Sequence, residues 1–286
     1  MRDLVFEQLA VSLADRYVPE RALGHGAMAS VYLARDLKHD RYVAIKALRQ
    51  TQEDPAARDR FLREIRYLAQ LQHPHILPLF DSGDALGMLY YISAYVDGET
   101  LRRRLDRAPN HRLSPADTVH FAREIADGLD YAHARNVLHR DVKPENILLH
   151  DGHALLADFG IARAIQLAGE AVLTDTGVAI GTPMYMSPEQ LAADRSLDAR
   201  SDLYSLACVV YEMLAGAAPF MGVRGVVDNA LKFTSAPAPL RAVRDDVKSH
   251  TDETIATALA ADPDKRHRSA GEFVAALERA RRIEGS

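Results

Sequence analysis

Asp141, Lys143, Asn146 and Asp158 fall in one short stretch, VLHRDVKPENILLHDGHALLADFG. Asn146 and Asp158 bracket two apolar runs, Ile147-Leu148-Leu149 and Ala154-Leu155-Leu156-Ala157, with Asp151-Gly152 between them. That dipeptide between apolar runs is a strong hairpin signal. A hairpin returns its ends to one place, so the two oxygen-bearing side chains are expected to face one small volume. Oxygen ligands so gathered suit Mg2+ held jointly with phosphate oxygens. Asp141 and Lys143 precede the hairpin on a loop, where catalytic groups tend to sit.

A second candidate is LGHGAMASVYLAR, in which Gly24 and Gly26 are followed by Ala29 where a third glycine would complete G-x-G-x-x-G. A dinucleotide fold needs a helix after its glycines. Here Ser30-Val31-Tyr32-Leu33-Ala34 alternates as a strand does, and no glycine precedes a lysine, so the Walker pattern is absent. A glycine loop between strands is a flap whose backbone N–H groups can cover phosphates. Taken alone, the glycines fit an ordinary hairpin turn better than a phosphate flap. Lys46, in Val43-Ala44-Ile45-Lys46, follows one strand later, and Glu64 follows on a helix beside its apolar stripe. Each alone reads as a solvated surface residue. Together, a helix-borne glutamate can hold a lysine that points at phosphate.

The bulk composition excludes several classes. The 286 residues are 48% hydrophobic and 26% charged, and 35 Lys plus Arg against 40 Asp plus Glu leave a net charge of −5. That balance gives no case for a nucleic-acid partner. The run Arg102-Arg103-Arg104 reads as a solvated helix face. One cysteine, Cys208, excludes an intramolecular disulfide framework and a multi-cysteine zinc site. It sits in LACVVYEML, as a small buried hydrophobe would. No apolar run reaches ~18 residues, so no membrane insertion by this chain is expected. MRDLVFEQLA lacks a signal-peptide core and is too acidic for a transit peptide, so an intracellular, soluble chain is the expectation.

The elements that must position these residues change character along the chain. SVYLA, YVAIKAL, ILPLF and MLYYISAYV alternate as strands. One helix interrupts them, with Asp54 as its cap, Pro55 in its first turn, and Phe61, Leu62, Ile65, Leu68 and Leu71 at helical spacing. From Thr100 onward helices take over. Ser114-Pro115-Ala116-Asp117 reads as a capping box opening a helix that carries Phe121, Ile125 and Leu129. DLYSLACVVYEMLAG reads as a second helix stopped at Gly216, and SAGEFVAALERARR as the last. Strands first and helices after imply an α+β fold, with the join near Asp97-Gly98.

In order and spacing these pieces resemble the eukaryotic-type protein kinase family, and within it the bacterial serine/threonine kinases, from about Tyr17 to Arg279. The resemblance implies one kinase domain over 1–286 with a bilobal protein-kinase-like fold. Its small β-rich N-lobe would cover about 1–96 and its larger helical C-lobe about 97–286. It implies ATP with Mg2+ as cofactors, Mn2+ being an alternative ion, and Asn146 and Asp158 as metal ligands. Gly24, His25, Gly26 and Ala27 would belong to the phosphate flap. Leu23, Val31 and Ala44 would lie above an adenine set on the backbone of Ala94 to Val96, with Ser93 as the gate behind it. Lys46 would contact phosphates and pair with Glu64. Asp141 would orient the substrate hydroxyl, Lys143 would neutralise the transferred group, and Thr182 would bond toward both. Glu189–Arg266 and Asp202 would be structural.

The implied partners are proteins phosphorylated on Ser or Thr, and a second copy of the chain for activating autophosphorylation at Thr174 and Thr176. The implied location is cytoplasmic, either free or as the cytoplasmic part of a longer membrane-anchored kinase. A pseudokinase scaffold is the alternative from another class, and the retention of Lys46, Asp141 and Asp158 speaks against it. A small-molecule kinase is a third reading, opposed by GTPMYMSPE, which resembles a peptide-docking segment. The departures from the family pattern are Ala29, Ala207 and the stretch VVDNALKFTSAPAPL.

Overall fold

The computed structural model describes residues 3–26, 29–51, 54–161, 183–194, 196–220 and 231–284. Ala27, Thr174, Thr176 and Thr182 lie outside these. The described residues divide into two compact units. The first runs to Asp97 and includes Ile161, and the second comprises Gly98–Gly160 and the described residues from 183 onward.

The first unit is a five-stranded antiparallel sheet in the order β1-β2-β3-β5-β4. Its strands are β1 (Tyr17–His25), β2 (Ala29–Asp36), β3 (Arg41–Thr51), β4 (Leu79–Ala85) and β5 (Met88–Ala94). Direct pairing sets Val31 opposite Lys46 opposite Tyr91, and Leu33 opposite Ala44 opposite Ser93. Directly paired residues share a face of the sheet, as do positions two apart. One face therefore carries Val31, Ala44, Lys46, Tyr91 and Ser93. The other carries Tyr32, Ala34, Val43, Ile45, Ala47, Met88, Tyr90 and Ile92, which form a core with Leu9, Val5 and Phe6 of α1 (Leu4–Ser12).

Helix α1 and strand β1 escape a periodicity reading. Asp3 caps α1 by accepting from Phe6 N (3.2 Å) and also accepts the Tyr32 hydroxyl at 2.9 Å, so much of what holds this helix comes from the sheet. Strand β1 shifts register between Pro19 and Arg21 and again between Ala22 and Gly24, which erases the alternation that marks a strand. Nor does ILPLF form a strand throughout. β4 begins at Leu79, because Pro78 has no N–H for a ladder and contributes only its carbonyl, to Ala94 N at 3.0 Å. Helix α2 (Pro55–Leu68) starts as the sequence implies, with the Asp54 carboxylate accepting from Ala56 N and Phe61, Ile65 and Leu68 buried.

In the second unit β6 (Glu99–Thr100) and α3 (Leu101–Arg107) lead to α4 (Pro115–His133), followed by β7 (Ile147–His150) and β8 (His153–Leu156). After them come α5 (Pro188–Leu191), α6 (Ala199–Ala215), α7 (Leu231–Thr234), α8 (Ser249–Ala258) and α9 (Ala270–Glu284). Helix α6 is buried on all sides from Ser201 to Leu214, with Cys208 fully buried, so it reads as apolar all round rather than amphipathic. Burial pushes the Cys208 thiol up to about 12. Gly216 ends α6 at φ 84°, where a Cβ would meet the Asn110 carbonyl oxygen at 2.3 Å. At the start of α4 the Ser114 hydroxyl accepts from Asp117 N (3.0 Å) and donates to the Asp117 carboxylate (2.8 Å). The capping residues are thus the expected ones, although the return bond goes to the hydroxyl.

Arg102 is not on a solvated face. It donates to Glu145 (2.9 Å), Glu212 (2.8 Å) and the Tyr185 hydroxyl (2.5 Å), because α3 turns this one arginine of the three inward against α6. No described helix is long and apolar enough to cross a membrane.

Candidate active site

Positive φ at Asp151 (49°) and Gly152 (83°) closes the β7–β8 hairpin with the backbone twist that two-residue turns favour. The ladder runs from His150 opposite His153 to Ile147 opposite Leu156. One bond further on, Ala157 N donates to the Asn146 carbonyl at 2.8 Å. Asn146 therefore lies beside the residue preceding Asp158, as the hairpin reading requires. Asp158 takes φ 61°, a left-handed conformation that aspartate tolerates better than most residues.

The Asn146 amide nitrogen donates to the Asp141 carbonyl (2.8 Å) and carboxylate (2.9 Å), and Lys143 Nζ donates to the same carboxylate at 2.6 Å. With its nitrogen so engaged, Asn146 presents Oδ1 as its acceptor, the donor type that Mg2+ takes. Asn146 and Asp158 thus fit a hard divalent cation. The Asp141 carboxylate is held by two donors, and its side chain is 30% exposed.

Buried Asp202, on the first turn of α6, holds the loop from behind. Its carboxylate accepts from His139 N (2.8 Å), Arg140 N (2.7 Å) and the His133 ring (2.8 Å). Burial alone would raise this carboxyl, but these donors override it and hold the group below the ordinary aspartate range. They also fix the left-handed Arg140 backbone, at φ 67°, immediately before Asp141. Burial pushes the His139 ring below its ordinary value, so it is neutral. Its Nδ1 accepts from Asp141 N at 3.3 Å, which leaves Nε2 to donate to the Ala157 carbonyl at 3.0 Å. One imidazole thereby ties the loop carrying Asp141 to the hairpin end carrying Asp158.

In the first unit Gly24 lies opposite Val31 and His25 opposite Ser30, with Gly26 N donating to the Ala29 carbonyl at 2.8 Å. Gly24 lies within β1 and Gly26 just beyond it, and the next described element is strand β2 where a dinucleotide loop would need a helix. Val31, Ala44, Lys46 and Ser93 come together on one sheet face, and Lys46 Nζ lies 5.9 Å from the Tyr91 ring centroid. Leu23 sits in the β1 bulge, Ala94 ends β5, and Val96 follows it half-buried. Glu64 is half-buried on α2 next to Ile65.

A family profile described as the protein kinase domain matches residues 17–275. The chain belongs to the protein kinase family. Its relatives include the serine/threonine-protein kinase PknB of Mycolicibacterium smegmatis, 40% identical over 93% of this chain and 43% of that one. PknJ of Mycobacterium bovis is 39% identical over 94% of this chain and 46% of that one. This kinase domain therefore spans under half the length of those relatives. A solved kinase domain, that of Mycobacterium tuberculosis PknI, is 34% identical with a TM-score of 0.74, covering 92% of this chain and 95% of that one.

Three features of this kinase domain were not legible beforehand. Lys232, fully buried on α7, donates to the carbonyls of Pro183 (2.6 Å), Met184 (2.9 Å) and Met186 (2.8 Å), and burial pushes its ammonium below the ordinary lysine value. In sequence it is a lone lysine in a stretch that fits the family loosely, and nothing marks it as buried. Gln190 closes a capping box on Ser187 and donates to the Arg140 carbonyl at 2.9 Å. Arg102, Glu145, Tyr185 and Glu212 form the third, a polar cluster that draws on four separate segments.

Proposed function

We propose that the chain is a serine/threonine protein kinase that transfers the γ-phosphoryl group of Mg-ATP to protein hydroxyls. The observation that carries this reading is the Asp141 carboxylate, aimed by Lys143 Nζ and the Asn146 amide on a loop braced by buried Asp202. In-line phosphoryl transfer asks a protein for positioning and charge compensation more than covalent work. Asp141 orients the attacking hydroxyl and takes up its proton, while Lys143 offsets charge on the group in transfer. Asn146 and Asp158 would hold Mg2+, which would neutralise charge on the phosphate oxygens. Lys46 aligns the α- and β-phosphates and is held by Glu64, and the backbone N–H groups from Gly24 to Ala27 cover them. The adenine rests on Ala94 to Val96 beneath Leu23, Val31 and Ala44. Thr182 belongs to the same reading as a bond toward Asp141 and Lys143. Incubation of the purified chain with Mg2+, radiolabelled ATP and a generic basic protein tests the proposal. Label on Ser or Thr supports it, whereas ATP binding without transfer identifies a pseudokinase.

Activation by phosphorylation at Thr174 or Thr176 belongs to the same reading. A phosphate there brings about 1.5–2 negative charges near neutral pH, for which Arg140, next to Asp141, is the cationic partner. Mass spectrometry after incubation with ATP is expected to find phosphate on Thr174 or Thr176. A rate of modification that rises with protein concentration marks transfer between two copies. Phosphate found only elsewhere, with full activity in the double alanine variant, overturns the assignment.

Ser93 leads to a third expectation. Met88 and Tyr90 belong to the opposite sheet face, in the core with α1, so of the three neighbours that could close the space beside Ser93 only Tyr91 shares its face. Inhibitors with a bulky group aimed past the adenine should bind well, and Ser93→Met should weaken them at least about tenfold, ~1.4 kcal/mol, while ATP changes little. Equal inhibitor affinity for both proteins removes Ser93 from the gate position.

A further inference from the structure

The geometry points to a second metal site, for a transition ion of the Zn2+ class, formed by His120, Glu124 and His153 at the turn end of the β7–β8 hairpin. Asn146 and Asp158 flank the other end of that hairpin, so this site is separate from the candidate active site. His120 and Glu124 are four residues apart on α4 and therefore share one helix face. The hairpin register brings His153, the first residue of β8, up to the same face.

Both imidazoles are drawn to a single carboxylate oxygen. His153 Nδ1 lies 2.6 Å from Glu124 Oε1, and His120 Nε2 lies 3.5 Å from it. The three ligand atoms all lie within 4.8 Å of one another. Zinc–ligand bonds of about 2.0–2.2 Å at tetrahedral angles put ligand atoms ~3.3 Å apart. The glutamate–histidine separations thus need to change by under about 1 Å, and the histidine–histidine separation by about 1.5 Å at most. The rings can supply that motion, since the His120 and His153 side chains are 42% and 62% exposed. That exposure also leaves the outer side open to water as a fourth ligand.

The carboxylate is already oriented for the task. Glu124, with its side chain only 10% exposed, accepts from Ala154 N through Oε2 at 2.7 Å, which turns Oε1 toward the rings. An outer partner of this kind commonly fixes a metal-binding carboxylate. His120 Nε2 also lies 3.0 Å from the Gly152 carbonyl. On ligation it gives up that bond, and the neutral ring carries its proton on Nδ1. Two imidazole nitrogens with one carboxylate select Zn2+, Co2+ or Ni2+ over Mg2+ and Ca2+. A bound ion would clasp the hairpin turn to α4.

The test uses the full chain, expressed without a polyhistidine tag and stripped of metal, and titrated with Zn2+ against a chromogenic chelator in excess Mg2+. One equivalent is expected to bind, and Co2+ should give the visible absorption of a four-coordinate ion. His120→Ala and His153→Ala alter exposed rings, so both should keep the parent circular dichroism spectrum. Each should weaken Zn2+ at least as much as the ~10–100-fold seen for lost outer partners, and Asp158→Asn should leave Zn2+ affinity unchanged. Zn2+ binding no tighter than that of the double histidine variant overturns the site. So does binding that survives both single substitutions, and in that case the three side chains form only a hydrogen-bonded clasp.

Discussion

Asp141→Asn is expected to leave the chain folded and able to bind ATP while lowering phosphoryl transfer by about 10²–10⁴-fold, the usual contribution of a positioned base. The amide is nearly isosteric, and the side chain is partly exposed, so folding loses little. What changes is the acceptor. The carboxylate takes Lys143 Nζ at 2.6 Å and the Asn146 amide at 2.9 Å, and its negative charge lets it also receive a proton from the substrate. Both donors reach Oδ2, so the single oxygen of an amide can keep them, and the NH2 group then replaces Oδ1, the acceptor left for the substrate hydroxyl. Lys46→Met should act in the same direction by removing phosphate alignment. Single-turnover rates with ATP affinity measured separately are the check. Wild-type transfer rates in both variants would falsify the mechanism.

Arg266→Ala is expected to lower stability by about 3–5 kcal/mol, because it strands a half-buried carboxylate. Arg266 has a fully buried side chain and donates to both oxygens of Glu189, at 2.7 and 2.8 Å, with Ser201 adding a third bond at 2.7 Å. At about 2–4 °C per kcal/mol, Tm should fall by roughly 6–20 °C. The pH dependence distinguishes this cause from a packing defect. Burial alone raises the Glu189 carboxyl, and in the native chain the guanidinium overrides that and holds it below the ordinary glutamate value.

A carboxyl lowered by folding stabilises above its unfolded value and loses that contribution as pH falls through the folded one. Without Arg266 burial dominates and the sign reverses. The deficit of the variant should therefore be largest at neutral pH and shrink toward about pH 4, where Glu189 can be protonated. Thermal melts across that range decide it, and a deficit independent of pH assigns the loss to packing. The double substitution Glu189→Met with Arg266→Met should recover part of the stability, since no charge is then left unpaired.

How much of the site could be read in advance depended on how local its cause was. The β7–β8 hairpin needed only Asp151-Gly152 between two apolar runs, and the structure closes it with positive φ at both residues. The helix caps at Asp54 and Ser114, the stop at Gly216 and the burial of Cys208 follow equally from a few neighbouring residues. Strand β1 was hidden because two bulges break its alternation, and α1 because it is held largely by the sheet it covers. The arginine run shows the limit most sharply. Arg102 and Arg103 are the same residue type one position apart, yet Arg102 binds Glu145, Glu212 and Tyr185 while Arg103 is exposed.

By itself the sequence determined the change from strands to helices, the hairpin with the two residues at its open end, the loop carrying Asp141 ahead of it, and membership of the protein kinase family. These rest on backbone preferences and short-range spacing, which act before any distant contact forms. Only the tertiary structure decided which polar side chains are buried and what satisfies them. Asp202 under His139 and Arg140, Lys232 under Pro183, Met184 and Met186, and Glu124 between His120 and His153 all join segments far apart in the chain. The physical reason is that a buried donor or acceptor must find a partner. Which partner it finds is set by packing, and no local pattern encodes it.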